Sequence, residues 1–244
     1  VFDENKKGQW EEARNFLKNN LSEKEYNSAR ESTLTAFYTP NLVIEAIYGG
    51  LENLGFDNGN ILEPSCGIGN FIGNIPDKFK GSKFYGVELD SLSGNIAKKL
   101  YPEADISIKG FEEYGISNNS FDIAIGNVPF GDFKIADKEY DKNNFLIHDY
   151  FFAKTIDKVK TGGVIAFITS SGTMDKKDES IRRYIGERCE LLGAIRLPNN
   201  TFKGVAGTEV TSDIIFLKKR GERFLGEEEW YKIRTDSKGL NYNK

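Results

Sequence analysis

The stretch Asn60-Ile61-Leu62-Glu63-Pro64-Ser65-Cys66-Gly67-Ile68-Gly69-Asn70-Phe71 decides the fold. It is a short apolar run that breaks into a glycine turn. Glycines let a backbone turn sharply and approach a ligand closely. In a nucleotide-binding α/β sheet, the turn after the first strand is where the cofactor sits. A dinucleotide fingerprint would place a third glycine where Ile72 stands, which counts against NAD.

Outward from that turn, strands alternate with helices. Lys83–Glu88, Asp105–Ile108 and Phe121–Gly126 read as strands two to four, with a helix over Ser91–Leu100. The fourth strand is nearly all apolar, which predicts burial on both faces. A helix over Phe145–Lys160 ends at Gly162-Gly163, which releases a fifth strand, Val164–Thr169. Glu179–Arg188 is helical. Leu191–Leu197 and Ser212–Leu217 are the last strands, and no long helix fits between them, so they pair antiparallel. A mostly parallel, doubly wound α/β sheet with a final antiparallel hairpin is the pattern of the methyltransferase variant of the nucleotide-binding fold.

Upstream, Asn5 to Arg30 reads as two helices, with Trp10, Ala13, Phe16 and Leu17 at helical spacing and Ser22 and Glu25 forming a capping box. Thr39-Pro40 opens a further helix, with Thr39 as N-cap and Pro40 at the first helical position. The expected organisation is a helical arm over 1–35, a catalytic domain over 36–220, and a tail or the start of a further segment over 221–244.

Composition narrows the class. The chain has 244 residues, 39% hydrophobic and 29% charged, with a net charge of −4. That is ordinary globular composition, large enough for a real core. No apolar run approaches a membrane span, and the polar start is no signal peptide. Cys66 and Cys189 lie far apart, and His148 is the single histidine, so zinc sites, disulfide frameworks and Ser-His-Asp triads are not expected. The reading is a reduced, cytoplasmic enzyme or binding module with no metal, no membrane and no purely electrostatic grip on nucleic acid.

Two further positions carry chemistry. Glu88 ends the second strand about 20 residues after Gly67, the separation at which a carboxylate meets ribose hydroxyls. Asn127-Val128-Pro129-Phe130 leaves the most buried strand at the sheet's carboxyl edge, where ligands bind in open α/β folds. An Asn side-chain oxygen and a neighbouring carbonyl can accept both hydrogens of an NH2 group, and a ring can stack on the planar system that carries it.

Taken in order, these motifs resemble the Taq-like (gamma-class) N6-adenine DNA methyltransferases. Phe37-Tyr38-Thr39-Pro40 is similar to that family's opening motif, Glu63 to Phe71 to its cofactor loop, Glu88 to its ribose acid, and Asn127 to Phe130 to its Asn-Pro-Pro-Tyr loop. The likeness covers about 36–219. The runs His148–Phe152, Gly172–Asp175 and Ala194–Pro198 bring the chain closer to methylase modules of phages and mobile elements, often fused to helicases.

The resemblance implies a class I S-adenosylmethionine-dependent fold and methyl transfer from S-adenosylmethionine to the N6 amine of a flipped-out adenine in DNA. It implies cofactor contacts from Phe37, Tyr38, Thr39, Glu63, Pro64, Cys66, Gly67, Gly69, Phe71, Glu88, Leu89, Phe111, Glu112 and Asn127. Cys66 is then packing. Glu112 stands in for an Asp that relatives carry where this chain has Gly110. Asn127 and the Val128 carbonyl accept the target amine's hydrogens, and Phe130 stacks on the base. Val128 replaces the usual proline. His148 either helps close the target pocket or, the favoured expectation, is a helix residue hydrogen-bonded to a neighbour. Ser170, Ser171 and Thr173 line the target side or form a turn. Lys176-Lys177, Arg182-Arg183 with Arg188, and Lys218-Lys219-Arg220 are solvated faces or phosphate contacts. With about 25 residues after the last strand, a target-recognition or helicase segment is expected elsewhere. Alternative acceptors are RNA adenine and protein glutamine, and a further alternative is a cofactor-binding module without turnover.

Overall fold

The computed structural model describes residues 1–32, 39–203, 210–239 and 241–243. Phe37 and Tyr38 lie outside the described residues. The elements are α1 (Gln9–Asn20), α2 (Glu23–Ser32), α3 (Asn41–Asn53), β1 (Asn60–Glu63), α4 (Asn70–Gly73), β2 (Lys83–Glu88), α5 (Ser91–Leu100), β3 (Asp105–Ile108), β4 (Phe121–Asn127), α6 (Ile147–Lys158), β5 (Val159–Ser170), α7 (Gly172–Asp175), α8 (Ser180–Arg188), β6 (Cys189–Arg196), β7 (Ser212–Lys219), β8 (Ile233–Thr235) and β9 (Asn241–Asn243).

The main sheet has seven strands in the order β3-β2-β1-β4-β5-β7-β6. β1 to β5 run parallel, and β7 runs antiparallel to both its neighbours. Side chains alternate across the sheet with period two. Ile61, Ile123, Ile125, Ala166 and Ile168 therefore pack on the face covered by α3. Leu62, Ala124, Ile165 and Phe167 pack on the face covered by α6 and α8. Burial on both faces is why these strands read as continuous apolar runs.

Several boundaries differ from the sequence expectation. Pro40, not Thr39, caps α3, and its carbonyl accepts from the Val43 and Ile44 amides. Proline is extended here and, lacking N–H, gives up no donor. Gly162-Gly163 does not precede β5 but lies inside it. Gly162 sits at φ 80, a region open to glycine, and a side chain at Gly163 would meet the Asp122 carbonyl. The Ser22–Glu25 box is present, with Ser22 N donating to Glu25 Oε2 at 2.9 Å.

The residues after Arg220, expected as a tail or the start of a further segment, are fastened to the body. Tyr231 is 1% exposed against α8, where a side chain at Gly186 would strike its ring. Arg182 is fully buried, its Nε donating to the Tyr231 carbonyl at 2.7 Å. Asn243 Nδ2 donates to the Met174 and Trp230 carbonyls, and Asn241 Nδ2 to that of Asp175. No periodic apolar pattern marks this segment, because one aromatic anchor and a few amide caps hold it.

Candidate active site at the carboxyl ends of the strands

A cleft of about 500 Å³ opens where β1, β2, β3 and β4 end. That volume suits a ligand of cofactor size. Thr39, Glu63, Pro64, Cys66, Gly67, Phe71, Glu88, Leu89, Phe111, Glu112, Asn127, Val128 and Pro129 line it. The structure thus brings most of the singled-out residues to one place. Gly69 and Phe130 are not among the described lining residues. Gly69 sits at φ 87 as the N-cap of α4, and a side chain there would collide with the Tyr101 ring. It shapes the turn from behind.

The turn after β1 is clasped by Glu88. Gly67 N donates to Glu88 Oε2 at 2.7 Å, and Asp90 N to Oε1 at 2.8 Å. Each carboxylate oxygen still has a lone pair for a hydroxyl. Burial raises the Glu88 pKa, against the lowering effect of these backbone bonds. Asp90, just beyond, caps α5 through the Leu92 and Ser93 amides.

Glu63 is the deepest acid of the cleft, 2% exposed, with Oε2 lacking a hydrogen-bond partner among the described residues. Burial, and then the Glu88 charge, push its pKa well above the carboxylate range. A buried carboxyl of this kind suits a cationic or N–H donor, whose arrival favours the ionised form. Cys66 is buried, and desolvation, followed by the two glutamates, raises its thiol pKa, leaving it protonated. The thiol packs at Gly86, which has no room for a side chain beside it.

Phe111 is 3% exposed and lies 5.1 Å from the Phe151 ring. A side chain on Gly110 would collide with the Glu112 carboxylate. The Glu112 carboxylate therefore lies against the backbone of Gly110, where a Cβ would begin.

At the other end of the cleft, Asn127 closes β4 and Val128 is 1% exposed in the core. Val128 N donates to the Ile168 carbonyl at 3.1 Å. A proline there has no N–H to give. The valine thus replaces a stiff ring with a bond to β5. Ser65 Oγ donates to the Asn127 carbonyl at 3.1 Å, tying the two loops together.

Other expectations fare differently. Among the described residues, His148 has no hydrogen-bonded neighbour. It is 5% exposed, both ring nitrogens lack a hydrogen-bond partner among the described residues, and Nε2 is 3.4 Å from Asp149 Oδ1. Burial lowers its pKa, outweighing Asp149. The side chain sits inside α6's packed first turn, facing Asp149 Oδ1, which also lacks a hydrogen-bond partner among the described residues, while Asp149 Oδ2 accepts from Lys176 at 2.9 Å.

Thr173 is fully buried, 3.1 Å from Thr169 Oγ1, and Ser170 Oγ accepts from Gly172 N. These are turn roles. Much of the basic side-chain set is likewise engaged within the molecule. Arg182 is buried, Arg183 pairs with Glu179 and Glu227, Lys219 donates to the Val159 carbonyl, and Arg220 pairs with Glu228.

Sequence reasoning missed Ser65, Phe133, Ile135, Ile147 and Phe151, of which Ser65 ties the loops and all line the cleft. Asp90 carried a legible signal, an acid directly before a helix.

Sheet order, glycine turn and cleft define a class I S-adenosylmethionine-dependent methyltransferase fold, and solved structures agree. A chain assigned as such an enzyme from Listeria monocytogenes superposes with a TM-score of 0.63 at 18% identity, covering 89% of this chain and 70% of that one. A modification subunit assigned to a type I restriction enzyme from Vibrio vulnificus YJ016 also gives 0.63, at 15% identity, covering 92% and 64%. Within that class the chain belongs to the N-6 DNA Methylase family, whose model matches residues 22–236. It is 33% identical over 193 residues to Defense against restriction protein B of Escherichia phage P1, covering 77% of this chain and 8% of that protein. It is 29% identical over 154 residues to Modification methylase CviBIII of Paramecium bursaria Chlorella virus NC1A, covering 61% and 41%. The chain thus spans under half the length of either curated relative. Among the described residues, no helix is long and apolar enough to cross a membrane.

Proposed function

We propose that this chain transfers a methyl group from S-adenosylmethionine to the N6 amine of adenine in DNA. The observation that carries the proposal is the Ser65–Asn127 bond, which joins the cofactor turn to an amide-and-carbonyl pair at the same cleft. When bound, S-adenosylmethionine supplies an electrophilic methyl group.

The chain's own residues do the rest. Glu63 takes the cofactor's charged amine, which answers its buried, unpartnered Oε2. Glu88 takes the ribose hydroxyls while holding Gly67 and Asp90. Glu112 accepts from the adenine amine of the cofactor, in place of an acid at Gly110. Asn127 Oδ1 and the Val128 carbonyl accept the two hydrogens of the target amine. The amine lone pair is delocalised into the base, and two fixed acceptors favour the pyramidal nitrogen on which positive charge develops. The proton leaves after transfer, so no general base is required beforehand, and a buried, neutral His148 is no obstacle. Phe130 stacks on the base once it has left the duplex.

Target recognition belongs to a segment outside this chain. The supporting observation is that Arg182, Arg183, Lys219 and Arg220 are committed to intramolecular partners. Engaging a phosphate would require each of them first to give up an internal partner.

The test is radiolabelled methyl transfer from S-adenosylmethionine to unmethylated DNA, RNA and a glutamine-bearing protein, each offered separately. N6-methyladenine in DNA alone supports the reading. Label on RNA or on glutamine amide replaces it with one of the other acceptors.

A further inference from the structure

We propose that Lys154 is a positioning residue whose buried ammonium fixes the Phe111–Glu112 turn, and through it sets the site's preference for the adenine ring of the cofactor. The inference rests on the reading of Glu112 as the acceptor for that ring's amine.

Lys154 is 5% exposed, on the inner face of α6. Lysine is almost never buried so fully unless paired. Its Nζ donates to the Glu112 carbonyl at 2.9 Å and to Asp137 Oδ2 at 2.9 Å. It also lies 5.4 Å from the centre of the Phe111 ring and 5.9 Å from that of Tyr150. Tyr150 Oη donates to the same Asp137 oxygen at 2.8 Å. The ammonium thus stands directly behind the cleft wall and touches both residues of the turn that faces the ligand.

Stability alone does not account for a cation here. Replacing a buried ion pair by an apolar side chain of similar volume is often neutral or stabilising. What a methionine could not do is hold the Glu112 carbonyl at a fixed point. That carbonyl fixes the Glu112 backbone and hence where its carboxylate begins. The placement is demanding, because the carboxylate folds back against Gly110, in space that only a glycine there leaves open. Acid and ammonium form one device: Glu112 reaches across the gap left by Gly110, and Lys154 holds the base of the reach.

The test reads binding. The full chain is titrated with S-adenosylhomocysteine and with S-inosylhomocysteine, in which a carbonyl replaces the adenine amine. The wild type should prefer the adenosyl ligand by about tenfold or more, the scale of one hydrogen bond to a charged group. Glu112→Gln should reduce that preference. Lys154→Met should bring the two affinities to within about threefold of each other, a loss a merely structural role would not produce, since general loosening weakens both ligands alike. Should Lys154→Met fail to fold, Asp137→Asn removes the ammonium's counter-charge and should shift the ratio in the same direction. A folded Lys154 or Asp137 variant with the wild-type ratio overturns the inference while leaving Glu112 in place. A wild-type ratio in Glu112→Gln overturns the Glu112 reading and this inference with it.

Discussion

The Ser65 hydroxyl donates to the main-chain carbonyl of Asn127 at 3.1 Å, so the turn after β1 and the loop after β4 are joined across the base of the cleft. The bond connects the part of the chain read as holding the cofactor to the part read as holding the target amine. It leaves the Asn127 side chain out of the connection. Ser65→Ala should therefore act on alignment. The expected result is a fall of about tenfold in kcat, the scale of one lost hydrogen bond, with the Kd for cofactor nearly unchanged. Single-turnover kinetics and calorimetry on the same variant check both parts.

Glu88 holds Gly67 and Asp90 through one carboxylate oxygen each. Glu88→Ala should loosen the turn and remove the ribose contact together. Cofactor affinity should drop by about 10- to 100-fold, as expected for hydrogen bonds to a charged group. Isothermal titration with S-adenosylhomocysteine measures it.

Tyr231 is buried against α8, with its carbonyl held by Arg182. Tyr231→Ala should cost about 3 kcal/mol or more, by analogy with other large aromatic truncations. For a chain of this size that lowers Tm by about 6–12 °C. Calorimetry decides, and an unchanged Tm would mean that the segment after Arg220 contributes nothing to the fold.

His148 is the single histidine, and burial lowers its pKa. The unfolded chain therefore takes up the imidazole proton at higher pH than the folded chain does. Stability linked to this group is full above about 6.5, the unfolded value, and is lost as pH falls toward the lower folded value. The buried Glu63 and Glu88 carboxyls, whose pKa values are raised, act in the opposite sense and equally in both proteins, so the reading is the difference: between pH 6.5 and 5.5, Tm of His148→Phe should rise relative to the wild type.

The sheet was legible because both of its faces are covered, so β4 and β5 read as apolar runs, and because glycine turns mark their ends. Of the cleft's acids, Glu88 is legible from its distance to the turn, whereas Glu63 and Glu112 enter only through the family resemblance. What escaped were features carried by single side chains. Arg182 looks like half of a basic pair in sequence, yet it is fully buried and holds a carbonyl 49 residues away. Gly69 belongs to the motif by spacing, but its place is at the helix cap. Gly162-Gly163 resembles a helix stop because a glycine kink inside a strand has the same local composition. Lys154 lies in an aromatic helix, with nothing nearby in sequence to announce the Glu112 carbonyl it meets.

Asn127 bears the central claim, and the direct measurement is methyl transfer to unmethylated DNA by the wild type and by Asn127→Ala, with the product base identified. Removing a donor or acceptor aimed at developing charge commonly costs about 100- to 1000-fold in kcat. The account predicts N6-methyladenine from the wild type and a loss of that order in the variant, with cofactor binding retained. Transfer to adenine that survives Asn127→Ala at the wild-type rate would contradict it.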